Sequence, residues 1–251
     1  MSEALAFEAA ATLWRLADDE GLFQRLVDFF KKKENIVILG STGSGKSNLL
    51  TSLAAAAGLV QPISNADRTQ ASKGYTVRLD KNLFRAIDTP GQTHHSADRL
   101  RTIREVMANP PVRVMNVVSY GYHEYAAAAG EALTSTGVSE SFLQRHRDNE
   151  LTALNEWLPL LGDRTVTRWI FTVVTKADLW WDKYDEVLEY YQIGPYAEKL
   201  RGVDSRLRVA TLPYCSVVHR FFGTAKHAGS FDDEDRMRTN KHFLHQLVDL
   251  D

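Results

Sequence analysis

Apolar residues recur along the chain at two different spacings, and each spacing marks its own kind of element. Leu22, Phe23, Leu26, Val27 and Phe30 share one face at helical period, so residues 20–31 predict an amphipathic helix. Residues 4–16 predict another before it, and Lys31, Lys32 and Lys33 close the second where cations complement the helix dipole. The run Ile36–Leu39 predicts a short buried strand. It leads through a Gly/Ser loop into a helix over Ser47–Ala57. Residues 60–74 are polar and turn-rich, which predicts a loop. Tyr75–Leu79 and Leu83–Ile87 flank Asp80-Lys81-Asn82 and predict a hairpin. Further strands are expected at Val112–Ser119, Arg168–Val174 and Arg208–Cys215. Helices are expected at Ser96–Met107, Ser141–Leu161 (bent or ended at Pro159), Trp181–Leu200 (broken at Gly194-Pro195) and Thr239–Leu250. Residues 121–140 read as a partly helical insertion, and Phe221–Asp235 as a loop carrying the acidic run Asp232–Asp235.

Strands alternating with helices imply an α/β fold of three layers: a mostly parallel sheet with helices on both faces. Six strands are expected, with the hairpin supplying one antiparallel edge strand. The domain reading is a helical extension over 1–34 packed on one domain over 35–251, with insertions near 121–140 and 181–200. Composition narrows the class. An apolar fraction of 44% over 251 residues can build a full core, which excludes a disordered chain. A net charge of −2 argues against a general nucleic-acid coat. Cys215 is the single cysteine, so no internal disulfide and no multi-cysteine zinc site can form. The Met1-Ser2-Glu3 start has no signal-peptide character, no window reaches the length of an apolar membrane span, and no lipidation motif is present. These features predict a cytoplasmic protein without a membrane anchor of its own.

The strongest chemical signal is Gly40-Ser41-Thr42-Gly43-Ser44-Gly45-Lys46-Ser47, which matches G-x-x-x-x-G-K-[ST]. It would arise by chance in about one chain in a hundred of this length. Its position between a predicted strand and a predicted helix is the context the motif requires. Glycines let backbone N–H groups wrap a phosphate chain, and the helix N-terminus adds free donors and a positive dipole end. Ser41, Thr42, Gly43, Ser44, Gly45 and Asn48 are candidate phosphate and nucleotide contacts. Lys46 would reach the β- and γ-phosphates, and the Ser47 hydroxyl would ligate Mg²⁺.

Two later segments stand at strand ends, where ligands bind in such folds: Asp88-Thr89-Pro90-Gly91 and Thr175-Lys176-Ala177-Asp178. With them the chain resembles the translation-factor-related class of P-loop GTPases, which includes Ras-like, Era-like and septin-like proteins. The resemblance covers roughly residues 35–250 and rests on the order GxxxxGKS, DxxG, [NT]KxD. It implies that Asp88 holds Mg²⁺ through a water and that the Gly91 N–H senses the γ-phosphate. It implies that Asp178 accepts two hydrogen bonds from guanine, a bidentate pattern adenine cannot donate. Lys176 would lie along the base plane, and Thr175 stands where Asn is more common. Ser216 and the Val217 N–H would contact the guanine oxygen, in a loop that departs from the usual Ser-Ala-Lys. Thr69, rather than Thr76, would complete the Mg²⁺ shell. Gln92 occupies the place of the Ras-like glutamine that orients the attacking water, so Lys46, Gly91 and Gln92 form the candidate catalytic set.

Other conspicuous residues have plainer readings. Arg68 is a candidate arginine finger or a solvated loop residue. His94 and His95 read either as solvent-facing switch residues or as helpers in positioning water. Arg99, Arg101 and Arg104 form either a solvated face or a partner surface. Trp180 and Trp181 read as packing residues, and Cys215 as a small buried apolar residue. The resulting expectation is a GTP/GDP- and Mg²⁺-binding switch with regulatory or effector protein partners and a possible homodimer. The alternatives are a non-hydrolysing nucleotide-binding scaffold, or an ATPase on the same P-loop, against which Thr175–Asp178 speaks.

Overall fold

A computed structural model describes residues 21–31, 36–56, 73–79, 82–88, 104, 113–125, 128–135, 137–161, 167, 169–202, 207–218, 221–223 and 230–249. Its elements are α1 (Leu22–Lys31), β1 (Ile36–Gly40), α2 (Lys46–Ala56), β2 (Lys73–Leu79), β3 (Asn82–Asp88), β4 (Arg113–Val118) and α3 (Ala129–Ala132). They continue with β5 (Leu133–Thr134), β6 (Gly137–Val138), α4 (Glu140–Trp157), β7 (Trp169–Val174), α5 (Ala177–Trp180), α6 (Tyr184–Gln192), α7 (Pro195–Arg201), β8 (Arg208–Pro213) and α8 (Asp233–Asp249).

The main sheet has six strands in the order β2-β3-β1-β4-β7-β8. Every pairing is parallel except β2 with β3, whose antiparallel register runs from Lys73↔Asp88 to Leu79↔Asn82. This is the expected architecture, with the antiparallel strand at an edge. The period-2 alternation of buried strands feeds two cores, one on each face. Val37, Leu39, Val114, Val118, Ile170 and Val174 enter one, packed against Phe142, Leu154, Trp157 and Tyr191 of α4 and α6. Ile36, Ile38, Met115, Val117, Phe171 and Val173 enter the other, with Leu49 and Leu53 of α2 and Phe243, Leu244 and Leu247 of α8. Leu22 and Leu26 join this second core, so α1 is anchored by two leucines four residues apart, and Arg25 pairs with Asp249 at its outer face.

Local chemistry explains most element ends. The Ser139 hydroxyl caps α4 by accepting the Phe142 N–H at 3.3 Å, and Pro159 falls in a 3₁₀ turn (Leu158–Leu161) that ends the helix. Pro195 opens α7 at its first turn, after the predicted break at Gly194. The partly helical character expected of the 121–140 insertion is borne out by α3, and the β5–β6 hairpin adds a feature outside that expectation. One expectation needs correction. The closing helix begins at Asp233 rather than Thr239, so the acidic run belongs to its first turn and not to a loop. The reason is a capping box: Asp232 Oδ1 accepts the Asp235 N–H at 2.9 Å while Asp235 Oδ2 accepts the Asp232 N–H at 3.4 Å. The carboxylates there complement the positive helix end.

Candidate functional site

Because β1, β3, β4, β7 and β8 run the same way, the segments after them gather along one edge of the sheet. A cleft on that edge is lined by Gly45 and Asn48 of the P-loop, Thr175 and Lys176 after β7, and Tyr214, Ser216 and Val217 after β8. The P-loop turns where an L side chain could not follow. Gly40 has φ +148, and a Cβ there would stand 2.3 Å from the Val117 carbonyl oxygen. Gly43 has φ +77, and its Cβ would stand 2.7 Å from both the N and the O of Glu124. The loop is braced by the Ser44 hydroxyl, which donates to the Ser41 carbonyl at 2.8 Å. The Lys46 ammonium also donates to that carbonyl, at 2.7 Å, which keeps its tip inside the loop although the residue is buried. Ser47 is exposed at the start of α2.

The segment after β7 is tied to the P-loop directly. The Thr175 hydroxyl sits against two carbonyls, that of Ser44 and, at 3.0 Å, that of Val118. A threonine at this position therefore performs a tether between the two loops. Lys176 adopts the left-handed conformation at φ 59, which turns its side chain across the cleft. Its ammonium donates to the Tyr122 carbonyl at 2.6 Å and pairs with Glu124 Oε2 at 3.1 Å. Burial pulls its pKa below the usual lysine value, against the opposing pull of Glu124. Asp178 is buried and accepts from the Cys215 thiol at 3.3 Å. Burial, with Asp178 alongside, pushes that thiol well above its ordinary range, so Cys215 is a neutral packing group as expected. The Trp180 indole, expected only to pack, also donates to the Thr175 carbonyl at 2.7 Å.

The Tyr214–Val217 loop is held from α8. Asn240 accepts the Cys215 N–H at 3.1 Å and donates to the Cys215 carbonyl at 2.7 Å, and Arg236 donates to the Ser216 carbonyl at 3.4 Å. Asn240, Arg236, Glu124 and Glu150 are important residues that the sequence reading does not single out. No local motif marks them, because each acts on a segment 25 or more residues away in sequence or, for Arg236, 20 away.

The cleft thus brings together Gly45, Asn48, Thr175, Lys176, Ser216 and Val217, with Asp178 buried behind it. Asp88 ends β3 on the same sheet edge, where its backbone pairs with Lys73. Thr69, Gly91 and Gln92, together with Arg68, Thr76's side chain, His94 and His95, lie outside the described residues; of the predicted helix 96–107 only Arg104 is described, and it is helical.

Residues 35–149, just under half of the chain, match the family described as 50S ribosome-binding GTPase. The match, the sheet order and the order of the motifs agree with the resemblance to P-loop GTPases. A search of curated protein sequences finds no match. Among solved structures, the chain is similar to Toc33 from Arabidopsis thaliana in complex with GDP and Mg²⁺, at 14% identity over 94% of this chain and 95% of that one, with a TM-score of 0.49. It is also similar to the Arl6 BBS3 small GTPase from Trypanosoma brucei, at 13% identity over 87% and 98% of the two chains and a TM-score of 0.44. The signal recognition particle receptor SRb from Chaetomium thermophilum shows 13% identity over 88% and 99%, with a TM-score of 0.42.

Proposed function

We propose that the chain is a guanine-nucleotide-binding switch that hydrolyses GTP to GDP and phosphate with Mg²⁺. The observation that carries this reading is the shared cleft of Gly45 and Asn48 with Thr175, Lys176, Ser216 and Val217, backed by the buried Asp178 carboxylate. P-loop N–H groups and Lys46 would bind the phosphates and offset charge on the transferring phosphoryl. Asp178 would accept from the guanine N1 and exocyclic amine, with Ser216 and the Val217 N–H near the base oxygen. The exposed Ser47 hydroxyl and Asp88 offer hard oxygen donors of the kind Mg²⁺ takes beside phosphate oxygens. Mg²⁺ would neutralise charge building between the β- and γ-phosphates. Thr69 and the Gly91 N–H would respond to the γ-phosphate, and Gln92 would orient the attacking water. Without an assigned arginine finger, turnover by the isolated chain is expected to be slow, on the order of 10⁻⁴ to 10⁻² s⁻¹.

The reading includes a cytoplasmic location and protein partners for the triphosphate form, a second copy of this chain among them. It also takes residues 1–34 as a helical extension on a single domain over 35–251. Among the described residues, no helix is long and apolar enough to cross a membrane. The test is a calorimetric titration of GTP, GDP and ATP with Mg²⁺ into wild type, Lys46→Ala and Asp178→Asn. Guanine nucleotides should bind wild type, Lys46→Ala should abolish binding, and Asp178→Asn should shift preference toward xanthine nucleotide. Equal or better binding of ATP would overturn the reading. Gln92→Leu should lose turnover and keep binding; unchanged turnover would remove hydrolysis by this route.

A further inference from the structure

The segment after β4 is not one of the motif loops, yet it touches the P-loop, the Thr175–Asp178 segment and a residue just beyond the Tyr214–Val217 loop. The Glu124 N–H donates to the Gly43 carbonyl at 3.3 Å, and its backbone lies so close to Gly43 that no Cβ would fit between them. Its carboxylate spans two further segments. Oε2 takes the Lys176 ammonium at 3.1 Å, and Oε1 accepts the Phe222 N–H at 2.7 Å, just beyond the Tyr214–Val217 loop. The Tyr122 carbonyl takes the same ammonium at 2.6 Å, and the Phe221 ring lies beneath it at 5.8 Å. Tyr122 packs edge-on against Phe221 with ring centroids 5.4 Å apart.

We propose that Glu124 is a positioning residue for the base site, holding Lys176 across the cleft and so setting the affinity for the guanine base. The inference rests on the guanine-nucleotide reading above. Lysine is a flexible four-carbon point charge, and a left-handed backbone alone does not decide where its ammonium lies. Two oxygens, the Tyr122 carbonyl and Glu124 Oε2, fix it from the same short segment. That segment is itself fixed from below. Glu150 Oε1 accepts the Ser119 N–H at 2.8 Å and the Gly121 N–H at 3.4 Å, and stands 2.8 Å from His123 Nε2. The Tyr191 hydroxyl accepts the Tyr120 N–H at 3.0 Å. A wall made rigid in this way can pre-place Lys176 before nucleotide arrives, which lowers the ordering cost of binding.

The test is a double-mutant cycle on GDP affinity with Glu124→Gln and Lys176→Met, read by calorimetry, with the Glu124→Asp variant beside them. Glu124→Gln keeps the size of the side chain and the acceptor for Phe222, and removes the charge facing Lys176. It should weaken GDP by about 10- to 100-fold, with Glu124→Asp recovering part of the loss. In the Lys176→Met background the same change should have little further effect, because its route of action is gone. Additive losses would assign Glu124 a merely structural role and overturn the inference. Unchanged GDP affinity in Glu124→Gln, with wild type binding GDP, would overturn it alone. Wild type that binds no GDP would overturn the functional reading and this inference with it.

Discussion

Glu150→Gln alters one atom and tests whether the nucleotide edge of the sheet rests on α4. The Glu150 carboxylate is fully buried. Oε1 faces the Ser119 and Gly121 amides and His123 Nε2, while Oε2 accepts the Tyr191 hydroxyl at 2.5 Å. Burial and this carboxylate push the Tyr191 phenol well above its ordinary pKa, so it stays a donor. A glutamine can keep only one carbonyl oxygen. Three donors face the Oε1 position, so the amide nitrogen must turn to Tyr191. That hydroxyl already accepts the Tyr120 N–H, and its proton then loses its acceptor. The other bonds survive without charge assistance. Hydrogen bonds to charged groups contribute about 1.5–3 kcal/mol and neutral ones about half that, so one lost and three weakened bonds sum to a gross loss of roughly 4–7 kcal/mol. Desolvation of a buried carboxylate works the other way, and replacing a buried ion can be neutral when its partners leave too. Here two of the partners are backbone amides that no substitution removes, so the unfavourable side wins. Urea denaturation should show the loss as a lower midpoint, and hydrogen exchange at Ser119, Tyr120 and Gly121 should accelerate. A change below about 0.5 kcal/mol with unaltered protection would refute the reasoning.

Three other outcomes follow from the same geometry. Gly43→Ala introduces a Cβ 2.7 Å from the Glu124 backbone at a φ of +77, so nucleotide affinity should fall at least about tenfold while circular dichroism stays native; wild-type affinity would contradict the close approach. Asn240→Ala strips both the N–H and the carbonyl of buried Cys215 of their partner, at about 2–4 kcal/mol in denaturation, with weaker GDP binding through the displaced Ser216–Val217 loop. His146 is held down to about 3 by burial, then by the cationic influence of His123, Arg145 and Lys176, against an ordinary value of 6.5. The unfolded chain therefore takes a proton near pH 6.5 that the folded chain refuses until about 3, so stability falls with pH through that window, by at most about 1.4 kcal/mol per pH unit from this group. His146→Leu should flatten that part of the profile, and an unchanged slope would count against the burial argument.

Features encoded by neighbouring residues are legible in the sequence. The P-loop needs eight consecutive positions, and the strand–loop–helix around it follows from Ile36–Leu39 and the glycines. The breaks at Pro159 and Gly194-Pro195 follow from a missing N–H and a restricted φ. The mostly parallel sheet and its antiparallel edge strand are legible through the alternation of strands with helices and the one hairpin, whereas the strand order is not read from the sequence. The start of α8 is a different case. Asp232 and Asp235 stand at capping-box spacing, but a run of four acidic residues reads as solvated loop unless that spacing is weighed first.

What the sequence hides is who braces the site. Glu150 meets Ser119 across 31 residues and Tyr191 across 41, and Lys176 meets Glu124 across 52. Each of these residues is an unremarkable polar position in its own element, and only packing gives it a partner. The consequence is physical. The 181–200 insertion, which carries no motif, supplies Tyr191, whose hydroxyl lies between the Tyr120 amide and Glu150. Through Glu150 and the 119–124 backbone that hydroxyl is two hydrogen-bonded steps from the segment that holds Lys176. The insertion thus bears on the cleft by rigid connection rather than by contact. Substitutions in α6 should therefore change nucleotide affinity when they disturb Tyr191 or Glu186, whose carboxylate accepts the Tyr120 hydroxyl at 2.6 Å. Tyr191→Phe should weaken GDP in proportion to the amide protection lost at Tyr120, whereas changes at exposed Glu189 or Gln192 should leave both untouched.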